Sequence, residues 1–138
     1  MTRVFVDTSA WIALANARDQ WHTAAEEYYL FLLQRRASLC TSNYVLAEAY
    51  THIRYDAGHA SALRFQALIA AAEKQHYLQV LWVDQATAEA AWQIFAKYAD
   101  QFFSFTDCTS FVLARQARVD EVFAFDEDFR TMGFIVKP

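Results

Sequence analysis

Four acidic positions interrupt an otherwise apolar chain, and each stands beside an apolar element. Asp7 ends the run Arg3-Val4-Phe5-Val6. Glu48 is the single charge in Tyr44-Val45-Leu46-Ala47-Glu48-Ala49-Tyr50. Asp107 lies in Ser104-Phe105-Thr106-Asp107-Cys108-Thr109-Ser110-Phe111. Asp126, with Asp128 just after it, follows Val122-Phe123-Ala124-Phe125. An ionised carboxylate among apolar neighbours is costly unless it is paired, hydrogen-bonded or bound to a metal. Carboxylates gathered together repel one another, and a hard divalent cation is the usual remedy; an all-oxygen donor set suits Mg²⁺ or Mn²⁺. Such an ion orients and polarises a phosphate and lowers the pKa of a water. Such a cluster is therefore a candidate for holding a divalent ion against a phosphate.

Taken singly, each acid also has a plain structural reading. Asp7, Thr8 or Ser9 suits the N-cap of a following helix. Glu48 reads as a partly exposed helix position whose face is shared by Tyr44 and Thr51. Asp107 reads as a first-turn acid favoured by the helix dipole. Asp126 and Asp128 read as a cap and a solvated turn residue. It is the conjunction of four such positions that points to a site.

The elements that must position them follow from periodicity and breakers. Arg3–Val6 is rich in β-branched and aromatic residues and reads as a buried strand. A short helix is expected from Ser9 to about Ala17, and a long amphipathic one from Trp21 to Arg36. Ser38–Thr41 reads as a second strand, and Ser42 as the N-cap of a helix from Asn43 to about Asp56, stopped by Gly58. Another helix is expected from His59 to about Gln75 and a third strand from Tyr77 to Val83. Asp84 caps a helix reaching about Tyr98. Cys108–Arg118 reads as a helix, Glu121–Phe125 as a fourth strand, and Phe134–Val136 as a fifth. Strands alternating with helices predict an α/β fold with a mostly parallel sheet covered on both faces by right-handed crossovers. Open sheets of this kind bind ligands at the carboxyl ends of their strands. Asp7 and Asp126 each follow a strand, so both are expected on that edge.

The 138 residues suit a single domain, 1–138, with 56% hydrophobic residues and twelve Phe, seven Tyr and four Trp. Two Gly and one Pro imply few elaborate loops. Charges break the apolar stretches before they could span a bilayer, so no membrane association is expected. No signal-peptide pattern precedes the first strand. Cys40 and Cys108 stand apart without metal spacing, as expected of a cytoplasmic protein. The formal net charge of −4 offers a nucleic acid no bulk attraction, so such a partner would need local contacts.

Among other groups, His22, His52, His59 and His76 lack ligand spacing, although His52 falls one turn after Glu48. Arg54, Arg64, Arg115, Arg118 and Arg130 are candidate phosphate contacts. Arg115 and Arg118 lead because they share a helix with Asp107. Tyr28, Tyr29, Phe31, Leu32, Tyr50 and Tyr55 are expected mostly in the core, with a dimer face or partner groove as the alternative.

In order along the chain, Val4-Phe5-Val6-Asp7-Thr8-Ser9-Ala10-Trp11, Thr41-Ser42-Asn43-Tyr44-Val45-Leu46-Ala47-Glu48, Ser104–Phe111 and Ala124-Phe125-Asp126-Glu127-Asp128-Phe129 resemble the motifs of the PIN-domain ribonucleases. The resemblance is strongest to the VapC-type toxins of toxin–antitoxin pairs. It implies a three-layer α/β/α sandwich and Mg²⁺- or Mn²⁺-dependent endonucleolytic cleavage of RNA that leaves a 5′-phosphate and a 3′-hydroxyl. Carried over by position, Asp7, Glu48 and Asp107 would be the core catalytic and metal-site acids and Asp126 the fourth. Thr8, Ser9, Thr106 and Asp128 would support them from behind. A cognate antitoxin with a basic tail and a homodimer are implied as partners. The resemblance also admits a non-catalytic module that only binds RNA or protein. An aspartate-nucleophile phosphatase is disfavoured, because Ser9 stands where its second Asp is usual.

Overall fold

The computed structural model describes residues 1–138. The elements are β1 (Arg3–Val6), α1 (Thr8–Ala15), α2 (His22–Gln34), β2 (Ser38–Ser42), α3 (Asn43–Ala57), α4 (His59–Lys74), β3 (Leu78–Leu81), α5 (Gln85–Lys97), α6 (Phe105–Gln116), β4 (Glu121–Phe123), α7 (Asp128–Thr131) and β5 (Val136–Lys137). The five strands form one parallel sheet in the order β3-β2-β1-β4-β5. The chain moves outward from β1 to β3, then returns to the other side of β1 to add β4 and β5. With right-handed crossovers, that reversal puts α1–α4 and α5–α7 on opposite faces, giving the expected three layers.

The central strands are apolar because both faces are covered. Val4, Phe5, Val6, Val122 and Phe123 are all fully buried. Alternation sorts them: Phe5 meets Phe129 of α7, whereas Phe123 meets Tyr28 of α2. Helix α6 is the deepest, with every residue from Cys108 to Ala114 buried. Its Phe111 packs edge-on against Phe103 and Phe129. On the other face Trp11 of α1 sits against Tyr29 and Phe65, and its indole N–H donates to Thr41 Oγ1 at 3.0 Å. That hydroxyl in turn donates to the Val6 carbonyl at 2.9 Å, tying α1, β2 and β1 together just below Asp7.

Several boundaries differ from the expected ones. α6 begins at Phe105 rather than Cys108, because Ser104 and Asp107 close a reciprocal capping box that starts the helix early. Ordered pairing of β3 covers only Leu78–Leu81, since an edge strand has one neighbour to hold it. β4 stops at Phe123, freeing Ala124–Glu127 to form the loop that carries Asp126. β5 is displaced to Val136–Lys137. α1 ends at Ala15, and Trp21 stands at the N-cap of α2 rather than inside it.

With so few glycines, α2, α4 and α6 end on non-glycine residues of positive φ: Arg36 (55°), His76 (65°) and Arg118 (52°). Each end is closed by the next amide reaching back to the last turn, Ala37 to Leu32, Tyr77 to Ala72 and Val119 to Ala114. No helix is long and apolar enough to cross a membrane.

Candidate active site

β1 and β4 lie side by side at the point where the strand order reverses, and their carboxyl ends open a crevice there. Asp7 leaves β1 into this crevice while its amide continues the ladder to the Phe123 carbonyl at 3.0 Å. It is both N-cap and crevice acid, so the two readings of the sequence are compatible. Its Oδ2 accepts from the Ser9 amide (3.2 Å) and the Ser9 hydroxyl (2.7 Å). The Ser9 hydroxyl also accepts from the Phe125 amide at 3.0 Å, so one serine clamps Asp7 to the loop after β4.

Asp107 arrives from the opposite layer. Its carboxylate accepts from the Ser104 amide at 3.0 Å, completing the capping box at the N-terminus of α6. Asp126 rides the loop after β4, and its Oδ1 accepts from the Asp128 amide at 3.2 Å. Asp7, Asp107 and Asp126 each present an oxygen, and the three oxygens lie within 4.8 Å of one another. Asp7 is only 2% exposed, and the other two are half-buried.

The electrostatic consequence is uniform. Burial, then the Asp126 charge, pushes Asp7 well above the usual carboxylate range, despite the opposing hydrogen bonds from Ser9. Burial pushes Asp107 up to about 7; the Ser104 amide opposes this, and the charges of Asp126 and Asp128 add to it. Asp126 is raised by burial and by the Asp128 charge, while a hydrogen bond with Asp7 acts against the rise. No lysine or arginine forms an ion pair with any of the three. The Thr8 hydroxyl, one residue from Asp7, is buried without a protein partner. An all-oxygen donor set, crowded and uncompensated, with an orphaned polar atom beside it, fits a hard divalent cation.

The remaining predicted residues distribute around this trio. Glu48 lies outside the trio, while Asp126, expected as the fourth acid, lies within it. Val45, Leu46, Ala49 and Ile53 form the buried face of α3, leaving Glu48 half-buried at its margin. It lines a groove of about 480 Å³ with Tyr44, Ala47, Thr51, His52 and Thr106, so α3 and α6 meet there beside Asp107. Asp128 lies next to Asp107. Arg115 and Arg118 sit at the opposite end of α6, because a helix carries its first and last turns to different edges of the sheet. Arg115 donates to the Met132 carbonyl at 2.9 Å and covers the Phe134 ring. Arg118 ends the helix on the side where Asp120 meets β1. The structure therefore does not bring either arginine to the acids. On the far flank of the trio is a cleft that periodicity did not single out. It is built from Trp21, stacked parallel on Phe125 at 5.4 Å, together with Asp126 and Arg130. Trp21 and Phe125 are far apart in the chain, and nothing in the local pattern links them.

The PIN domain family model matches residues 4–135. The chain is 34% identical over 139 residues to the 23S rRNA-specific endonuclease VapC20 of Mycobacterium tuberculosis, covering 98% of both chains. The crystal structure of that protein, described as a Sarcin-Ricin loop cleaving toxin, superposes with a TM-score of 0.83 at 33% identity over 98% of this chain and 99% of the other. VapBC2 from Rickettsia felis, solved bound to a DNA fragment from its promoter, shares the fold with a TM-score of 0.71 at 9% identity, over 99% and 98% of the two chains. Motifs, the family model and the likeness to VapC20 agree: the chain belongs to the PIN-domain family, among its VapC-type members.

Proposed function

We propose that this protein is a divalent-metal-dependent endoribonuclease that acts as the toxin of a toxin–antitoxin pair. The observation that carries the reading is the convergence of the Asp7, Asp107 and Asp126 carboxylates at the strand-order reversal of a VapC-type chain. Those three would hold Mg²⁺ or Mn²⁺, with Glu48 and Asp128 flanking them. A divalent ion bound there supplies Lewis acidity toward a phosphate oxygen and a water of lowered pKa.

The chain's own residues prepare that chemistry. Ser9 fixes the Asp7 carboxylate before substrate arrives, which spares reorganisation during the reaction. The capping box does the same for Asp107. Burial keeps bulk water off Asp7. Glu48, on the groove wall beside Thr106, has room next to it for a phosphate and a water whose proton it can accept at its carboxylate. No serine, cysteine or histidine nucleophile is needed.

The likeness to VapC20 makes 23S rRNA the first substrate to offer. On the same reading, a cognate antitoxin would block the crevice, and the setting would be cytoplasmic. Of the tyrosines considered for a dimer face, Tyr28, Tyr29 and Tyr50 pack against the core and Tyr55 is exposed. A homodimer would more readily use the exposed Tyr44, Trp92 and Phe95, which gather around Phe105 next to the site. The test is cleavage of total bacterial RNA with Mg²⁺ or Mn²⁺, with chelator, and with the Asp7→Asn/Asp107→Asn double variant. Discrete fragments that require both the metal and the acids support the reading. A folded protein that binds RNA with no cut under any condition would replace it with a non-catalytic binding module.

A further inference from the structure

The acid trio has clefts on two flanks, and only the Glu48 groove is used by the reading above. The other, of about 390 Å³, is lined by Trp21, Phe125, Asp126, Glu127, Arg130 and Pro138 among others. Asp126 belongs both to this cleft and to the trio, so anything seated here adjoins the reaction centre. Trp21 caps α2 and lies nearly parallel to Phe125, 7° between planes, while remaining 45% exposed. Phe125 thus holds the indole in place and leaves surface free for another ring.

Arg130 is the cation of this cleft. Its Nη1 donates to both Glu127 carboxylate oxygens, at 2.8 and 3.0 Å, and Nη2 donates weakly to the Val136 carbonyl at 3.4 Å. The Arg130 and Glu127 side chains are 51% and 76% exposed, so the pair is a surface one. Such pairs contribute little, and exchange of Glu127 for a phosphate costs little. A held aromatic face, an available guanidinium and a neighbouring phosphate-hydrolysing trio are the complementary parts of a nucleotide. Because the chain carries a net charge of −4, stacking and one local cation must do what bulk attraction does not.

We propose that this cleft seats one unpaired nucleotide of the RNA next to the scissile phosphate, its base on Trp21 and its phosphate on Arg130. The proposal rests on the ribonuclease reading and adds a subsite to it. Trp21 and Arg130 are positioning residues; they bind substrate and take no part in the proton transfers.

The experiment compares wild type with Trp21→Leu, Trp21→Tyr, Arg130→Gln and Arg130→Lys, each checked by thermal melting. The probe is RNA carrying the sarcin–ricin loop of 23S rRNA, followed by cleavage with Mg²⁺ and by binding anisotropy with chelator. Trp21→Leu is expected to raise KM and Kd about tenfold with kcat nearly unchanged, and Trp21→Tyr to restore both. Arg130→Gln is expected to flatten the slope of log Kd against log salt by about 0.7, the mark of one lost single-strand phosphate contact, and Arg130→Lys to keep it. A wild type that cleaves alongside Trp21→Leu and Arg130→Gln variants with unchanged KM, Kd and salt slope overturns the subsite, leaves the nuclease standing and leaves the cleft to a protein partner. A wild type that binds without cutting, with the same losses in the variants, keeps the subsite and removes the nuclease. Neither binding nor cleavage removes both.

Discussion

The two ends of the sheet are built on opposite principles. At the amino-terminal edge, α2, α4 and α6 each stop in a left-handed residue, and each stop is closed by hydrogen bonds to the final turn. Charges there are satisfied locally: the Arg3 amide donates to Asp120 at 2.8 Å and Arg35 donates to the Thr2 hydroxyl at 2.7 Å. At the carboxyl-terminal edge three carboxylates are pressed together without a counter-charge, beside a buried hydroxyl that bonds to nothing in the protein. One end is arranged so that the chain satisfies itself. The other gathers like charges that the chain itself does not neutralise. Uncompensated burial of this kind lowers stability, and folds tolerate it mainly where function requires it.

The sharpest way to break this contrast is to remove the acids. Asp7→Asn should lower RNA cleavage on the order of a thousandfold, within the range that loss of transition-state charge stabilisation produces. The same substitution should leave the melting temperature of the metal-free protein unchanged or higher, because it removes a buried charge. A large loss of both activity and stability would make Asp7 a structural cap only.

Next in size is the response to pH and metal. Asp107, at about 7 in the folded protein against the usual value near 3.8, binds its proton more tightly when folded. Its contribution is fully present below about pH 4 and is lost as pH rises through about 7. Asp7 and Asp126 are raised in the same direction. Metal-free protein should therefore melt at progressively lower temperature from pH 4 to above 7. Mg²⁺ or Mn²⁺ at a hundred times its Kd should restore about 2.7 kcal/mol at neutral pH. Calorimetric scans with and without chelator check both halves; stability that rises across this window would contradict the uncompensated trio.

Ser9→Ala tests the clamp. It strips Asp7 of its 2.7 Å hydrogen bond and leaves the Phe125 amide without its acceptor. A cost of about 1–2 kcal/mol in stability is expected from chemical denaturation, with a cleavage loss of about tenfold. Ser9→Thr should recover much of both.

The smallest effect belongs to the self-satisfied edge. Arg118→Gly relieves a non-glycine residue at φ 52°. Relief of that strain, offset by the greater backbone freedom of glycine in the unfolded chain, should stabilise by about 0.5 kcal/mol. Cleavage should stay unchanged. A clear drop in RNA affinity would return Arg118 to the list of phosphate contacts.

Much of this molecule was legible in the order of its residues. Alternating strands and helices called for a parallel sheet with two covered faces. Asp7, Glu48, Asp107 and Asp126 stand out alike, because a charge beside an apolar run needs a reason. Short-range chemistry was readable as well: Ser42 and Asp84 cap their helices, and Gly58 ends α3. What local pattern missed depended on distance in the chain. The early start of α6 at Phe105 depends on the reciprocal Ser104–Asp107 capping box. Glu48 reads as a partly exposed helix position and is half-buried, because only one face of α3 packs inward; that it stands apart from the other three acids is not visible in its apolar neighbours.

The amino-acid sequence by itself determined the fold class, through periodicity, and marked the candidate acids, through the cost of charge near apolar residues; the family came from the resemblance of four motifs in order. Only the tertiary structure decided which acids meet, that Arg115 and Arg118 lie away from them, and that Trp21 joins Phe125 and Arg130 in a second cleft. The reason is that strand order, set by how the crossovers pack, brings together the ends of elements that are remote in the chain, and no local pattern records that order.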